Sequence, residues 1–397
     1  MSPPFAGRHV LAELTGADPA VLDDEAGLRA AVGAAVTEAG ATVLQVVSHR
    51  FAPHGVTVLA LLAESHASLH TWPERGAAFA DVFTCGSADP ERAVALLADR
   101  LGASVATRTV PRGAAAPVRE PLAPGLTRVW DVDEVLWEGG TAYQHMLVAR
   151  TAQGVSLFCD GERQSTEASQ LVYHEALLVP ALLLAERVGR VLVIGSSEGV
   201  VSRIAVAAGA ARVDHVDIDA ECVRRCAELL PYGYTPDELR RAEAGEGPVR
   251  VHYTDGWAFL SAAPTNYDIV VVDLPDERPE DPGAQHNRLY GTDFLRRAAT
   301  VLAPGGVLVG QAGCATLWRN ATLRRSVERF AQVFPTVVHY GSDEHEWSFL
   351  TGSPHPVADP VERMVSRLGS LAYRPHSLDA DALRRGAVLP HGLRRRR

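Results

Sequence analysis

The chain reads as an α+β sandwich, then a small β-hairpin domain, then a doubly wound α/β domain of Rossmann-like type. Three observations predict this. Its 397 residues exceed the ~100–200 of one ordinary domain. Residues 1–112 alternate short apolar strands with two amphipathic helices, the pattern of helices packed on one face of a sheet. From Ser169 onward, fully apolar strand runs alternate with helices, which marks a parallel sheet buried on both faces.

Each element has its own cue. Arg8–Leu14 reads as a strand, and Asp24–Glu38 as a helix with Leu28, Val32 and Val36 on one face and Gly40 as its stop. Residues 41–47, 56–62, 67–71 and 79–83 are apolar strands between Pro and Gly turns. Asp89–Leu101 is a second helix, with Pro90 in its first turn. Residues 113–124, rich in Ala and Pro, read as a linker. Strands are expected at 127–136, 142–150 and 155–159, so 125–168 is the small β domain and 169–397 the α/β domain. Within the latter, 191–194, 214–218, 269–272 and 306–310 are the buried strands. The closing arginines, Arg394 to Arg397, read as a solvated tail.

Composition narrows the chemistry. All 38 basic residues are arginine, so the chain lacks the lysine that holds pyridoxal phosphate. The net charge of −10 argues against a nucleic-acid partner and suits cationic small molecules such as amines. No apolar run reaches the ~20 residues that span a bilayer, and the first residues lack the pattern of a secretory signal. Five scattered cysteines (Cys85, Cys159, Cys222, Cys226, Cys314) read as reduced thiols, which implies a cytoplasmic protein. Cys222 and Cys226 have no second pair or histidine cluster beside them, so no metal site is expected.

Two sets of motifs carry chemistry. The first is Glu64-Ser65-His66-Ala67-Ser68-Leu69-His70-Thr71-Trp72-Pro73-Glu74, flanked by His49-Arg50-Phe51-Ala52-Pro53-His54-Gly55-Val56-Thr57 and by Asp81-Val82-Phe83-Thr84-Cys85-Gly86. Over residues 7–112 these resemble the prokaryotic S-adenosylmethionine decarboxylases. The resemblance implies that the chain cuts itself between Glu64 and Ser65 and converts Ser65 into a pyruvoyl group, its own carbonyl cofactor. It implies Cys85 as the acid that reprotonates the product, His70 as an aid to elimination, and Thr57 as an aid to processing at a place usually held by serine. Phe51, Trp72 and Glu74 would cradle adenine and ribose. It also implies a homodimer or larger homo-oligomer with shared active sites.

The second set is Tyr143-Gln144; Asp160-Gly161 with Gln164; Tyr173-His174-Glu175; Gly195-Ser196-Ser197-Glu198-Gly199; Asp217-Ile218-Asp219; Asp255-Gly256; and Asp273-Leu274-Pro275-Asp276. A loop after a buried strand, with an acid ending the next strand, suits a nucleoside with ribose hydroxyls. Over residues 125–390 the set resembles spermidine synthase, an aminopropyltransferase. The resemblance implies that Asp273 with Tyr173 takes the proton of the attacking amine and that Asp276 holds the far ammonium. Gln144, Gln164, Gly195 and Glu198 would place the donor, decarboxylated S-adenosylmethionine, with Asp217 on its ribose and Asp255 on its adenine. Glu198 stands where the family usually has aspartate.

Together the two halves imply successive steps of polyamine synthesis, with putrescine as the default acceptor and spermidine and methylthioadenosine as products. Cadaverine, agmatine and longer amines stay open as acceptors. For the first half, decarboxylation of arginine or ornithine, or a non-catalytic regulatory role, also stays open.

Overall fold

The computed structural model describes residues 7–113, 116–262, 266–278, 281 and 283–394. The chain divides into two compact units between Ala116 and Pro117.

The first unit is built on one antiparallel sheet. Its strands are β1 (Gly7–Thr15), β2 (Val43–Arg50), β3 (Val56–Leu62), β4 (Ser65–Trp72), β5 (Ala77–Cys85) and β6 (Ser104–Arg112), in the order β2-β3-β4-β5-β1-β6. Three helices accompany it: α1 (Pro19–Leu22), α2 (Glu25–Glu38) and α3 (Pro90–Leu101). Side chains alternate between faces along a strand. Val10, Ala12 and Leu14 of β1, Val56 and Val58 of β3, Leu69 of β4 and Val82 of β5 therefore form one core with Leu28 and Val32 of α2 and Val94 and Leu97 of α3. The intervening residues share the opposite face. That face carries Thr57, Leu59 and Leu61; His66, Ser68, His70 and Trp72; and Phe79, Asp81, Phe83 and Cys85. Asp89 caps α3 by accepting from the Arg92 amide at 3.1 Å, and left-handed Gly102 ends it. Strand β6 is an edge strand in which Thr107, Arg108 and Thr109 follow one another and Pro111 comes near the end, so it lacks the apolar period by which the other strands are read.

The second unit opens with a hairpin of β7 (Val118–Ala123) and β8 (Leu126–Trp130). The expected linker therefore contains a strand; residues 114 and 115 of that stretch lie outside the described ones. Its anchor is Glu120, buried and accepting from the Trp130 indole at 2.8 Å. The single strand expected at 127–136 is two, because Asp131–Asp133 interrupts it before β9 (Glu134–Gly140). With β10 (His145–Thr151), β11 (Gly154–Cys159) and β12 (Glu162–Thr166), β9 forms a four-stranded antiparallel sheet.

Next comes α4 (Gln170–Leu184), buried from His174 onward. It leads to β13 (Arg190–Gly195), α5 (Val200–Ala207), β14 (Arg212–Asp217), α6 (Ala220–Leu229), β15 (Val249–Tyr253), β16 (Tyr267–Asp273), β17 (Leu302–Cys314), β18 (Thr336–Gly341) and β19 (Trp347–Ser353). Their order is β15-β14-β13-β16-β17-β19-β18; β15 to β17 run parallel, and β19 pairs antiparallel with both β17 and β18. The chain builds outward from β13 to β15 and then crosses back to β16, so the order reverses beside β13. A crevice opens at the carboxyl ends of strands at such a reversal. Glu175, in the predicted Tyr173-His174-Glu175 motif, is fully buried. It accepts from the Tyr373 hydroxyl, the His376 and Ser377 amides and the Ser377 hydroxyl, so it is a structural anchor whose charge is compensated. Of the closing arginines, Arg394 donates to the Leu389 carbonyl at 2.8 Å, and residues 395–397 lie outside the described ones.

Candidate functional site

In the second unit a cavity of about 530 Å³ lies over the carboxyl ends of β13, β14 and β16. Gln144, Gln164, Tyr173, Gly195, Glu198, Asp217, Asp255 and Asp273 all line it. The turn after β13 must be glycine, because a Cβ on Gly195 would lie 2.0 Å from the Asp273 carbonyl oxygen. Asp217 ends β14, accepting from the Asp219 amide at 2.9 Å and the Ser197 hydroxyl at 2.7 Å. Burial pushes its carboxyl up to about 7, and burial also raises that of Glu198. The Tyr173 hydroxyl donates to Asp273 Oδ1 at 2.6 Å. Burial, then the charge of Asp273, raise that phenol well above its ordinary value, so it stays a donor.

Gln144 donates to Asp219 Oδ2 at 3.0 Å, as does the Thr141 hydroxyl at 2.6 Å. Gln164 donates to the Glu162 carbonyl at 3.3 Å. Asp255 is ion-paired with Arg288. Asp276, expected at the acceptor's far ammonium, accepts from Gln311 at 2.7 Å and has Arg319 3.7 Å away. Burial pushes its carboxyl up to about 6.

Asp219 stands in the Asp217-Ile218-Asp219 motif with no role evident from sequence, and an arginine-rich network beside the cavity has no motif of its own. Arg278 lines the cavity, 3.2 Å from Glu162 and 3.6 Å from Asp160. Glu346 takes Arg128 at 3.0 Å and pairs with Arg163; burial opposes its ionisation, but these arginines hold it below its ordinary value. The signal for Glu346 and Arg319 was a charged residue next to a tryptophan near a strand end, too weak to read alone.

In the first unit the expected residues fall into two groups. Thr57 and His70 are cross-strand partners on β3 and β4 and are hydrogen-bonded. Phe51 and Trp72 place their rings 5.7 and 4.4 Å from that of His70, and Glu74 lies 3.0 Å from His54. Ser65 opens β4 five residues before His70, about 17 Å away at ~3.3 Å per residue. Cys85 is with Ser65, its backbone amide donating to the Glu64 carbonyl at 3.1 Å. Ser65 Oγ lies 3.1 Å from His66 Nδ1. Beyond it, His66, His9 and Asp81 place their ligand atoms within 4.8 Å of one another, a spacing that could also hold a metal ion.

Residues 8–113 match the family model described as S-adenosylmethionine decarboxylase, and residues 170–342 the one described as spermine/spermidine synthase domain. Over 124 residues the chain is 52% identical to the S-adenosylmethionine decarboxylase proenzyme of Parasynechococcus marenigrum, covering 30% of this chain and 97% of that protein. Over 275 residues it is 31% identical to the polyamine aminopropyltransferase of Aeropyrum pernix, covering 67% and 82% respectively. Among solved structures, spermidine synthase in complex with the transition-state analogue AdoDATO superimposes with a TM-score of 0.61 over 70% of this chain and 93% of that one, at 17% identity. Spermidine synthase from Thermotoga maritima does so at 0.59 over 70% and 92%, at 15% identity; both share the fold of the second unit.

Proposed function

We propose, on the premise that the chain belongs to two families, the S-adenosylmethionine decarboxylases through its first unit and the polyamine aminopropyltransferases through its second, that it performs consecutive reactions. It is a bifunctional enzyme of polyamine biosynthesis. The first unit decarboxylates S-adenosylmethionine, and the second transfers the aminopropyl group of that product to an amine, by default putrescine. The observation that carries this reading is the Tyr173–Asp273 pair in a carboxylate-lined cavity, in a chain that also holds the Glu64–Ser65 motif.

The first unit fits a pyruvoyl group made from Ser65. Glu64 is held by the Cys85 amide, and the Cys85 side chain shares the open face from which a proton could be returned to carbon. When formed, that group supplies a carbonyl that draws electrons from the breaking carboxylate bond. Phe51 and Trp72 offer aromatic faces to adenine, and Glu74 offers a carboxylate to ribose.

In the second unit Asp217 would accept the ribose hydroxyls and Asp255 the adenine amino group. Gln144, Gln164 and Glu198 face the cationic end of the donor. Asp273, oriented by Tyr173, accepts the proton of the acceptor amine, because only a neutral amine has the lone pair for attack. Asp276, beside Gln311 and Arg319, would hold the far ammonium of the acceptor.

The first unit's geometry supports a homo-oligomer. One copy cannot bring His70 to Ser65 along a single extended strand. The open face of the sheet is apolar, with Leu59, Leu61 and Phe79 49%, 52% and 53% exposed. A second copy packed on it with twofold symmetry would bring the Thr57–His70 end of one protomer to the Ser65–Cys85 end of the other. The composition and free thiols favour the cytoplasm, and the net charge of −10 favours amines over nucleic acid.

The test is incubation of the purified protein with S-adenosylmethionine and, separately, putrescine, cadaverine, agmatine and longer amines, with products read by mass. Spermidine and methylthioadenosine should form with putrescine. Carbon dioxide released from arginine or ornithine instead of S-adenosylmethionine would reassign the first unit, and release from none of them would favour the regulatory reading.

A further inference from the structure

We infer that His66 is the general base that starts chain cleavage at Ser65, with Asp81 as its positioning residue and the Cys85 amide as the donor to the attacked carbonyl. This rests on the proenzyme reading above and adds the group that launches it.

A serine hydroxyl attacks a peptide carbonyl only when a base within about 2.6–3.2 Å can take its proton. His70 of the same chain is far outside that reach. His66 is within it, with Nδ1 3.1 Å from Ser65 Oγ. The other face of the imidazole is also furnished: Nε2 lies 3.4 Å from Asp81 Oδ1. Asp81 is held from two further sides, by His9 Nε2 at 3.1 Å and by the Ser68 hydroxyl. A carboxylate on the Nε2 side favours the proton there, the tautomer that leaves the Nδ1 lone pair to the serine. The ring is steadied by Phe83 and His9, whose centroids lie 5.9 and 6.0 Å from its own. The ionisable groups facing it are Asp81 on β5 and His9 on β1, with Arg112 of β6 behind, 3.3 Å from His9 Nδ1.

The carbonyl is prepared as well. The Cys85 amide donates to the Glu64 oxygen in the intact chain, and the same hydrogen bond strengthens as that oxygen gains charge. The Glu64 side chain is tied back by the Thr42 amide at 2.9 Å, which fixes the residue being attacked.

The step balances without a co-reactant. The Ser65 Oγ–H proton passes to His66 Nδ1, and Oγ bonds to the Glu64 carbonyl carbon. The Glu64–Ser65 carbon–nitrogen bond then breaks, and the proton on Nδ1 moves to the departing nitrogen. An ester and a free amine replace the peptide. Elimination of the ester falls to the second copy's Thr57–His70 end, so two histidines divide two steps.

The test follows full-length wild type, His66→Gln, His66→Ala and Asp81→Asn, freshly synthesised, by mass over time. His66→Gln should cleave on the order of a hundredfold more slowly, and Asp81→Asn about tenfold more slowly, a share of the same base contribution. Added imidazole should restore cleavage of His66→Ala, which a purely structural role would not allow. Wild-type cleavage rate in His66→Gln would overturn the base. So would cleavage that requires added zinc and stops with a chelator, which would give His9, His66 and Asp81 to a metal. A wild-type chain that never cleaves would instead overturn the proenzyme reading itself, a separate result.

Discussion

In the second unit the parallel strands β13, β14 and β16 end at one edge, so Gly195, Asp217 and Asp273 meet around one cavity. In the first unit β4 runs antiparallel between its neighbours, with Ser65 at its start and His70 five residues on, and the two do not meet. A parallel sheet focuses residues from distant parts of the sequence. An antiparallel sheet spreads residues from one motif along a face, and a site built there needs something else to close it.

Breaking that contrast begins with the two reactive positions. Ser65→Ala should abolish both cleavage and decarboxylation while transfer from supplied donor continues; mass spectrometry should show an unbroken chain instead of fragments 1–64 and 65–397. Asp273→Asn should do the reverse, lowering transfer by about 10²–10⁴ with decarboxylation retained, as assays of each step would show. Loss of both activities in either variant would mean that the centres are not independent.

A third test concerns Asp217, whose carboxyl burial pushes up to about 7. As an acceptor for ribose hydroxyls it must be ionised. Below that value the ionised fraction falls about tenfold per pH unit, so donor affinity measured by calorimetry should tighten from pH 6 to 8. Asp217→Asn should bind weakly and without that slope. A fourth test sharpens the first unit. Co-expressed Ser65→Ala and His70→Ala chains, each inactive alone, should recover about a quarter of wild-type sites if two copies complete each centre by twofold symmetry. No recovery would place His70 in the same protomer as the serine it serves.

What could be read in the sequence divides along physical lines. Buried strands such as Val191–Ile194 and Ile269–Val272 announce themselves because both faces must be apolar. Edge strands do not: β6 carries the polar run Thr107-Arg108-Thr109, and β7 hides in an Ala- and Pro-rich stretch whose buried Glu120 gives no apolar signal. The Tyr173–Asp273 pair was legible only through the resemblance to spermidine synthase. The role of His66 was hidden by its neighbour, since one histidine beside a serine in an alternating strand reads as an ordinary surface residue. The engagement of Asp276 by Gln311 and Arg319 was not legible either, because neither partner stands in one of the motifs.

The strand order of the first unit settles what becomes of a chain severed before Ser65. The shorter piece would contribute β1, β2 and β3, and the longer piece β4, β5 and β6. In the sheet these interleave: β3 lies against β4, and β1 is clasped between β5 and β6 along its full nine residues on both sides. Neither piece can leave without unzipping three ladders, so the severed protein would migrate as one particle until denatured, and the missing bond would cost it little of its shape.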